Sequence, residues 1–169
     1  VIREKGSNSE REMAYMMSIA GFNVKDIHMT DIISGKEDLK DIQLLVAVGG
    51  FSNSDVLGSA KGWAGSFIHN PKAKNAITGF FERNDTISLG VCNGCQLFIE
   101  LGLINKDHSL KPKMKHNDSN KFECAFYTVS SSSCPAKCTK WDEGKFGLLV
   151  NNPSRFDNYS GCYIKLGND

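Results

Sequence analysis

Residues 87–98, with the sequence Ile-Ser-Leu-Gly-Val-Cys-Asn-Gly-Cys-Gln-Leu-Phe, decide the fold of this chain. An apolar, β-branched run ends in Gly-x-Cys-x-Gly, and an apolar pattern typical of a helix follows at once. This order is typical of a nucleophile elbow, in which a strand passes through a tight turn directly into a helix. Gly90 and Gly94 leave room for that turn. Cys92 at its apex lies beside the helix N-terminus, where partial positive charge favours a nucleophilic thiolate.

A second apolar run, residues 44–48, ends in the pair Gly49-Gly50 and is predicted to be another buried strand. A glycine pair at a strand end lets backbone N–H groups point into a cleft. An acyl-transfer nucleophile needs such donors, because negative charge develops on the carbonyl oxygen that it attacks. We expect one donor from Asn93, directly after the nucleophile, and the other from the loop near Gly50 or Phe51.

Predicted strands and helices alternate along the chain before and through the elbow. Strands are predicted at residues 1–3, 22–28, 44–48 and 87–90, and helices at residues 9–20, 72–82 and 93–101. The short crossovers predict an α/β fold with a mostly parallel sheet sandwiched by helices. Sites in such sheets lie beyond the carboxyl ends of the strands, which is where Gly49-Gly50 and Cys92 both fall.

Two of these helices have a clear apolar face. The first begins at a capping-box pattern, Ser9 followed by Glu12. Its predicted core face consists of Met13, Met16, Met17 and Ala20. The helix at residues 72–82 is predicted to bury Ala73, Ala76, Ile77 and Phe80. Both helices are therefore expected to cover the sheet.

The amino-acid composition excludes several classes of protein. The chain has 169 residues, 40% hydrophobic and 23% charged, which suits one globular domain. A net charge of +1 argues against a nucleic-acid or acidic membrane partner. No apolar run approaches the ~20 residues of a membrane helix, and the first residues lack a signal-peptide pattern. Six cysteines without a secretion signal favour reduced thiols, so we expect a cytoplasmic protein.

Longer motifs carry a resemblance to a known family. The stretches 48–64 and 89–96, together with 3–10 and 116–123, resemble the glutaminase domain of phosphoribosylformylglycinamidine synthases. That domain is a class I glutamine amidotransferase of flavodoxin-like fold. The resemblance implies that residues 1–126 form the glutaminase core with its elbow. Residues 127–169 are then a divergent or incomplete C-terminal part of the same domain.

The resemblance also implies roles for individual residues. Cys92 would be the catalytic nucleophile on L-glutamine, and the backbone N–H groups of Gly50 and Asn93 would form the oxyanion hole. Gln96 follows Cys92 by four residues and therefore shares a face of the elbow helix with it. The implied substrate-binding residues are Phe51, Gln96, Asn117 and Ser119. No metal is predicted at the site.

A partner follows from the same resemblance. The ammonia would pass to a synthetase domain or subunit that uses ATP and Mg²⁺ on formylglycinamide ribonucleotide. No phosphate-binding loop of the type Gly-x-x-x-x-Gly-Lys occurs in this chain, so no cofactor is expected in it.

The acid/base half of the site is not visible in the sequence. A cysteine amidohydrolase needs a histidine base, usually oriented by a carboxylate, and the family supplies both from a His-Pro-Glu stretch. This chain has no His-Pro-Glu, and His28 is the histidine that topology could bring near the site, with His116 a weaker candidate. A second family element, His-Gly-Glu-Gly, has only residues 141–146 as a distant counterpart. Three interpretations stay open: a truncated piece of a larger enzyme, residues lost or misread after about Phe126, or a homologue that has lost hydrolysis.

Other functions remain as alternatives. A non-catalytic scaffold or binding module would keep the fold and the exposed thiol. A thiol redox protein would use Cys92 and Cys95 as a Cys-x-x-Cys pair, although the elbow glycines suit that use poorly. A zinc site has unfavourable ligand spacing, since its candidates are Cys124, Cys134, Cys138, Cys162 and His116.

Overall fold

A computed structural model of the chain describes residues 1–104 and 113–114. Several predictions lie outside these described residues. They concern the substrate-binding residues Asn117 and Ser119, the candidate base His116, the cysteines considered for zinc, and the C-terminal part at residues 127–169.

Strands alternate with one or two helices along the described chain, and the helix at residues 61–68 was not predicted. The elements are β1 (Ile2–Arg3), α1 (Glu10–Ile19), β2 (Ile27–His28), α2 (Met29–Ser34), β3 (Leu44–Ala47), α3 (Lys61–Ile68), α4 (Pro71–Glu82), β4 (Ile87–Gly90) and α5 (Asn93–Glu100). A short 3₁₀ turn, Ser52–Asp55, lies between β3 and α3. The predicted second strand at residues 22–28 is shortened to its last two residues.

The described strands form one parallel sheet in the order β2-β1-β3-β4. This order is that of flavodoxin-like folds, whose sites lie at the carboxyl ends of the strands near the switch between β1 and β3. The predicted α/β class and the parallel sheet are confirmed. The sheet therefore brings the loops that follow β1, β3 and β4 to one edge.

The main core lies on the face of the sheet that is covered by α2, α3, α4 and α5. Trp63 and Phe67 of α3 are completely buried there. The predicted face of α4 is confirmed, because Ala73, Ala76, Ile77 and Phe80 are all buried. This apolar packing gives the elbow helix α5 a rigid support.

The face of α1 is only partly as predicted. Met13 and Met17 pack against a small cluster with Val46, but Met16 is 56% exposed and no residue of α1 is fully buried. Ile87 and Leu89 of β4, which are register partners of Leu44 and Val46, also remain partly exposed in the described part of the chain. The methionine stripe is therefore a half-covered surface rather than a core face.

The predicted capping box at Ser9 is wrong. Ser9 has a left-handed backbone conformation, and its hydroxyl donates to the neighbouring Asn8 carbonyl at 2.6 Å instead of accepting from the helix. The cause is tertiary, since the Asn8 N–H is held by the Gly49 carbonyl at 3.0 Å. The chain therefore enters α1 from a conformation that this loop contact imposes.

Helix α4 begins at a side-chain cap that can be tested. The Asn70 carboxamide oxygen accepts a hydrogen bond from the Ala73 N–H at 3.0 Å, and Pro71 occupies the first helical position. We expect Asn70→Ala to lower the free energy of unfolding by about 1 kcal/mol, measured by urea denaturation. Asn75→Ala, at an exposed position within the same helix, is the matched control. Equal effects of the two substitutions would show that the cap contributes nothing.

Candidate active site

Cys92 lies in the turn between β4 and α5, at the carboxyl edge of the sheet. Its backbone angles, φ 55° and ψ −111°, are those of the first central residue of a type II′ turn, which a residue with a side chain seldom adopts. The Gly94 N–H closes this turn on the Val91 carbonyl at 2.9 Å. Such strain persists only where the surrounding structure imposes it, and it costs of order 1–3 kcal/mol. The predicted elbow geometry is therefore present.

The two glycines of the elbow are sterically required. A Cβ on Gly94 would overlap the Ala47 carbonyl oxygen of β3 and would lie 2.8 Å from the Ala47 Cβ. A Cβ on Gly90 would lie 2.9 Å from the Cα of Cys95. The turn can pass between β3 and α5 only because both positions lack a side chain.

The glycine loop after β3 lies against the cysteine. A Cβ built on Gly49 would be 3.2 Å from the Cys92 Cβ and 3.8 Å from its Sγ. The two glycine-containing stretches are far apart in sequence, yet the paired strands β3 and β4 end side by side. The structure thus brings the loop and the candidate nucleophile together, as the sequence predicted.

Backbone hydrogen bonds distinguish the possible donors in this loop. The Phe51 N–H donates to the Gly6 carbonyl at 2.9 Å and is therefore occupied. The N–H groups of Gly50 and Asn93, by contrast, donate to no partner within the described residues. Gly50 has φ +105°, and a Cβ there would lie 2.6 Å from the Asn8 nitrogen, so glycine is required. Within the described residues, two N–H groups without a partner thus lie at the cysteine turn, one in the turn itself and one in the glycine loop.

The loop after β1 holds the glycine loop in place, which the sequence analysis missed. Its contacts are Asn8 N–H to Gly49 O at 3.0 Å, Phe51 N–H to Gly6 O at 2.9 Å, and Asn53 N–H to Lys5 O at 2.7 Å. The signal that could have found it is Gly6, three residues after the predicted strand at residues 1–3, because this loop leaves the same edge of the sheet as the other two.

The side chains of Asn93 and Gln96 are buried beside the elbow, at 1% and 6% exposure. The Asn93 carboxamide oxygen accepts from the Ser52 N–H at 3.2 Å, and its nitrogen donates to the Gln96 oxygen at 2.8 Å. Gln96 therefore lies next to the cysteine turn, whereas Phe51 presents a side chain that is 46% exposed.

Within the described residues no histidine or carboxylate group is hydrogen-bonded to the Cys92 thiol. His28 ends β2 at the opposite edge of the sheet, about 14 Å away across three strand spacings, and its ring contacts Thr30 at 3.0 Å. His69 is exposed at the carboxyl end of α3. Burial raises the pKa of Glu100, but this carboxyl group lies at the far end of α5.

The cysteine pair has the geometry of an elbow. Cys92 and Cys95 are not joined by a disulfide, and Cys95 lies in the first turn of α5 with its backbone packed beside Gly90. Within residues 1–104 and 113–114 no group of histidine, cysteine and carboxylate side chains is arranged to hold a metal ion. None of the helices described is long and apolar enough to cross a membrane.

Comparison with known proteins adds two findings. The family model described as a CobB/CobQ-like glutamine amidotransferase domain matches residues 1–147. The solved structure of PurLQS from Thermotoga maritima is similar to this chain with a TM-score of 0.55 and 29% sequence identity. That similarity covers 73% of this chain and 50% of the other, so the chain spans about half the length of its structural relative.

Proposed function

The chain belongs to the CobB/CobQ-like glutamine amidotransferase family, and from this membership we propose that it hydrolyses L-glutamine to supply ammonia for phosphoribosylformylglycinamidine synthesis. The observation that carries the proposal is the strained turn at Cys92, with Gly49 against its side chain and two unpaired backbone N–H groups beside it. The similarity to PurLQS agrees with the motif resemblance to phosphoribosylformylglycinamidine synthases.

The chemistry begins with the thiolate of Cys92. Its sulfur attacks the side-chain amide carbon of glutamine, and the carbonyl oxygen becomes an oxyanion. The N–H groups of Gly50 and Asn93 are proposed to hold this oxygen, because they have no partner in the described part of the chain. Donors already in position need no reorganisation as the charge develops, so they lower the barrier.

Two further steps complete the reaction. The carbon–nitrogen bond breaks, and the leaving nitrogen takes up the proton that the thiol lost, so ammonia departs and a γ-glutamyl thioester remains. Water then attacks the thioester; its hydroxyl goes to the acyl carbon, its proton returns to sulfur, and glutamate is released. Gln96 and the exposed ring of Phe51 are proposed to contact the substrate, together with Asn117 and Ser119.

The ammonia is proposed to be consumed by a synthetase domain or subunit. That partner would hold ATP and Mg²⁺ and would act on formylglycinamide ribonucleotide, while this chain holds only glutamine. The proposed setting is the cytoplasm, where purine precursors are made.

Alkylation by a diazoketone analogue of glutamine tests the proposal. We expect covalent modification of the peptide that contains Cys92, detected by intact mass and peptide mapping, along with glutamate and ammonia formation from glutamine. A Cys95→Ser variant, which keeps the elbow thiol, should be labelled like the unmodified chain. Labelling without turnover would support an incomplete, non-catalytic site. A Cys92–Cys95 disulfide formed in mild oxidant, without labelling, would favour a redox protein.

A further inference from the structure

The side chain of Asn93 joins the two chain segments that form the candidate site. It is 1% exposed, and its two hydrogen bonds connect Ser52 of the glycine loop with Gln96 of the elbow helix. The bond to Ser52 joins residues that are 41 positions apart in sequence. A buried carboxamide whose oxygen and nitrogen are both hydrogen-bonded has a defined orientation. Reversing it would place its NH₂ group against the Ser52 N–H, a donor against a donor.

The direction of these bonds follows from the chemistry of the groups. A backbone N–H can only donate, so the atom of Asn93 that meets Ser52 is its oxygen. The Asn93 nitrogen must then face Gln96, and it can only donate, so the atom that it meets is the Gln96 oxygen. The Gln96 nitrogen is left with both of its hydrogens available.

That nitrogen remains accessible. No described residue accepts a hydrogen bond from it. The fully buried side-chain polar atoms that lack a partner in the described part are Ser52 Oγ, Ser59 Oγ and Trp63 Nε1, so the Gln96 nitrogen keeps contact with solvent. A buried side chain that presents only an amide NH₂ group to solvent selects ligands with an acceptor at that point.

We propose that Asn93 is a positioning residue that orients the Gln96 carboxamide, so that Gln96 offers its NH₂ group and not its oxygen to the substrate. The substrate atom that Gln96 meets is then an acceptor oxygen and not the α-ammonium group. The identity of the ligand as glutamine rests on the proposed function. The orientation of the two carboxamides does not rest on it.

Asn93→Asp separates the two functions of the side chain. An aspartate still accepts from the Ser52 N–H, but as a carboxylate it cannot donate to Gln96, so the Gln96 amide turns and presents its oxygen. Asn93→Leu removes both bonds. Asn75→Asp introduces the same charge at an exposed position of α4 and is the matched control.

The first readout compares two alkylating reagents on the full chain. The diazoketone analogue of glutamine needs the substrate pocket, whereas iodoacetamide carries no α-amino acid group and needs only the thiol. The carboxylate that Asn93→Asp places beside Cys92 disfavours the thiolate and slows both reagents, so we expect alkylation by the glutamine analogue to slow about tenfold more than iodoacetamide alkylation. A merely structural role would slow both reagents equally, and that result would overturn the proposal.

A double-mutant cycle tests whether Asn93 acts through Gln96. In a Gln96→Ala background, the added Asn93→Asp substitution should slow the glutamine analogue no more than it slows iodoacetamide, because the group that it reorients is absent. If the two substitutions instead multiplied their effects on the ratio of the two alkylation rates, a positioning role would be contradicted.

A third readout does not depend on the proposed function. In ¹⁵N NMR spectra, Asn93→Asp should shift the Gln96 side-chain NH₂ signals while the Ser52 amide keeps its hydrogen bond and its slow exchange with solvent, whereas Asn93→Leu should shift the Gln96 signals and speed the exchange of the Ser52 amide. Unchanged Gln96 signals in Asn93→Asp would overturn the inference. If these shifts occur but the unmodified chain does not hydrolyse glutamine, the proposed function fails while the orientation of the carboxamides stands.

Discussion

Replacing Cys92 with serine lowers glutamine-dependent turnover by at least about 10³-fold, because a hydroxyl oxygen is a far poorer nucleophile here than a thiolate. The side chains are nearly isosteric, so the strained turn and the contact with Gly49 should persist. Turnover is measured as glutamate release by the full chain in the presence of the proposed synthetase partner. Synthesis supported by added ammonium salt should be unchanged, since that route bypasses the glutaminase.

Cys95→Ser is the control for this substitution. Cys95 lies in the first turn of α5, and its replacement should leave glutamate release within a few-fold of the unmodified chain. If Cys92→Ser retained substantial glutamine hydrolysis, Cys92 would not be the nucleophile. If it lost the ammonium-supported synthesis as well, the effect would be on assembly and not on chemistry.

Gly94→Ala is expected to be strongly destabilising. The added Cβ would overlap the Ala47 carbonyl oxygen, which belongs to the central strand β3 and cannot move aside without disturbing the sheet. We expect a loss of about 3 kcal/mol or more in the free energy of unfolding, measured by urea denaturation. The rate of Cys92 alkylation should fall in parallel, because the same turn holds the thiol.

Gly79→Ala is a control for which we expect the free energy of unfolding to rise and not to fall. Gly79 is exposed in the interior of α4, and a Cβ there meets no atom within 4 Å. Alanine should stabilise the chain by about 0.5–1 kcal/mol, since it restricts the unfolded chain and favours the helix. A Gly94→Ala variant as stable as the unmodified chain would show that the elbow is more open than the contact with Ala47 indicates.

Much of the fold could be predicted because its signals are local. The apolar runs that became β3 and β4 each end in glycine, and the face of α4 repeats with helical period, so both were found. The first helix was harder to predict. Its methionine stripe has the same period, but Met16 is exposed because burial depends on which elements lie opposite and not on the helix itself.

The candidate site was predictable only in outline. Glycine pairs and a cysteine between glycines indicated which loops would meet, but the sequence could not separate Gly50 from Phe51 as a donor. The structure distinguishes them. The Phe51 N–H donates a hydrogen bond to the Gly6 carbonyl, whereas the Gly50 N–H donates to no described residue. The orientation of the Asn93 and Gln96 side chains could not be predicted from the sequence either, because it depends on the hydrogen bond from the Ser52 N–H to the Asn93 oxygen.

The sequence by itself determined the alternation of strands and helices, the tight turn at Cys92 and the family, since each depends on residues that are neighbours in the chain. Tertiary structure alone decided which backbone donors stay unpaired and which way the buried carboxamides face. The physical reason is that each hydrogen-bonding group takes whatever partner packing brings within about 3 Å, and here those partners come from distant loops.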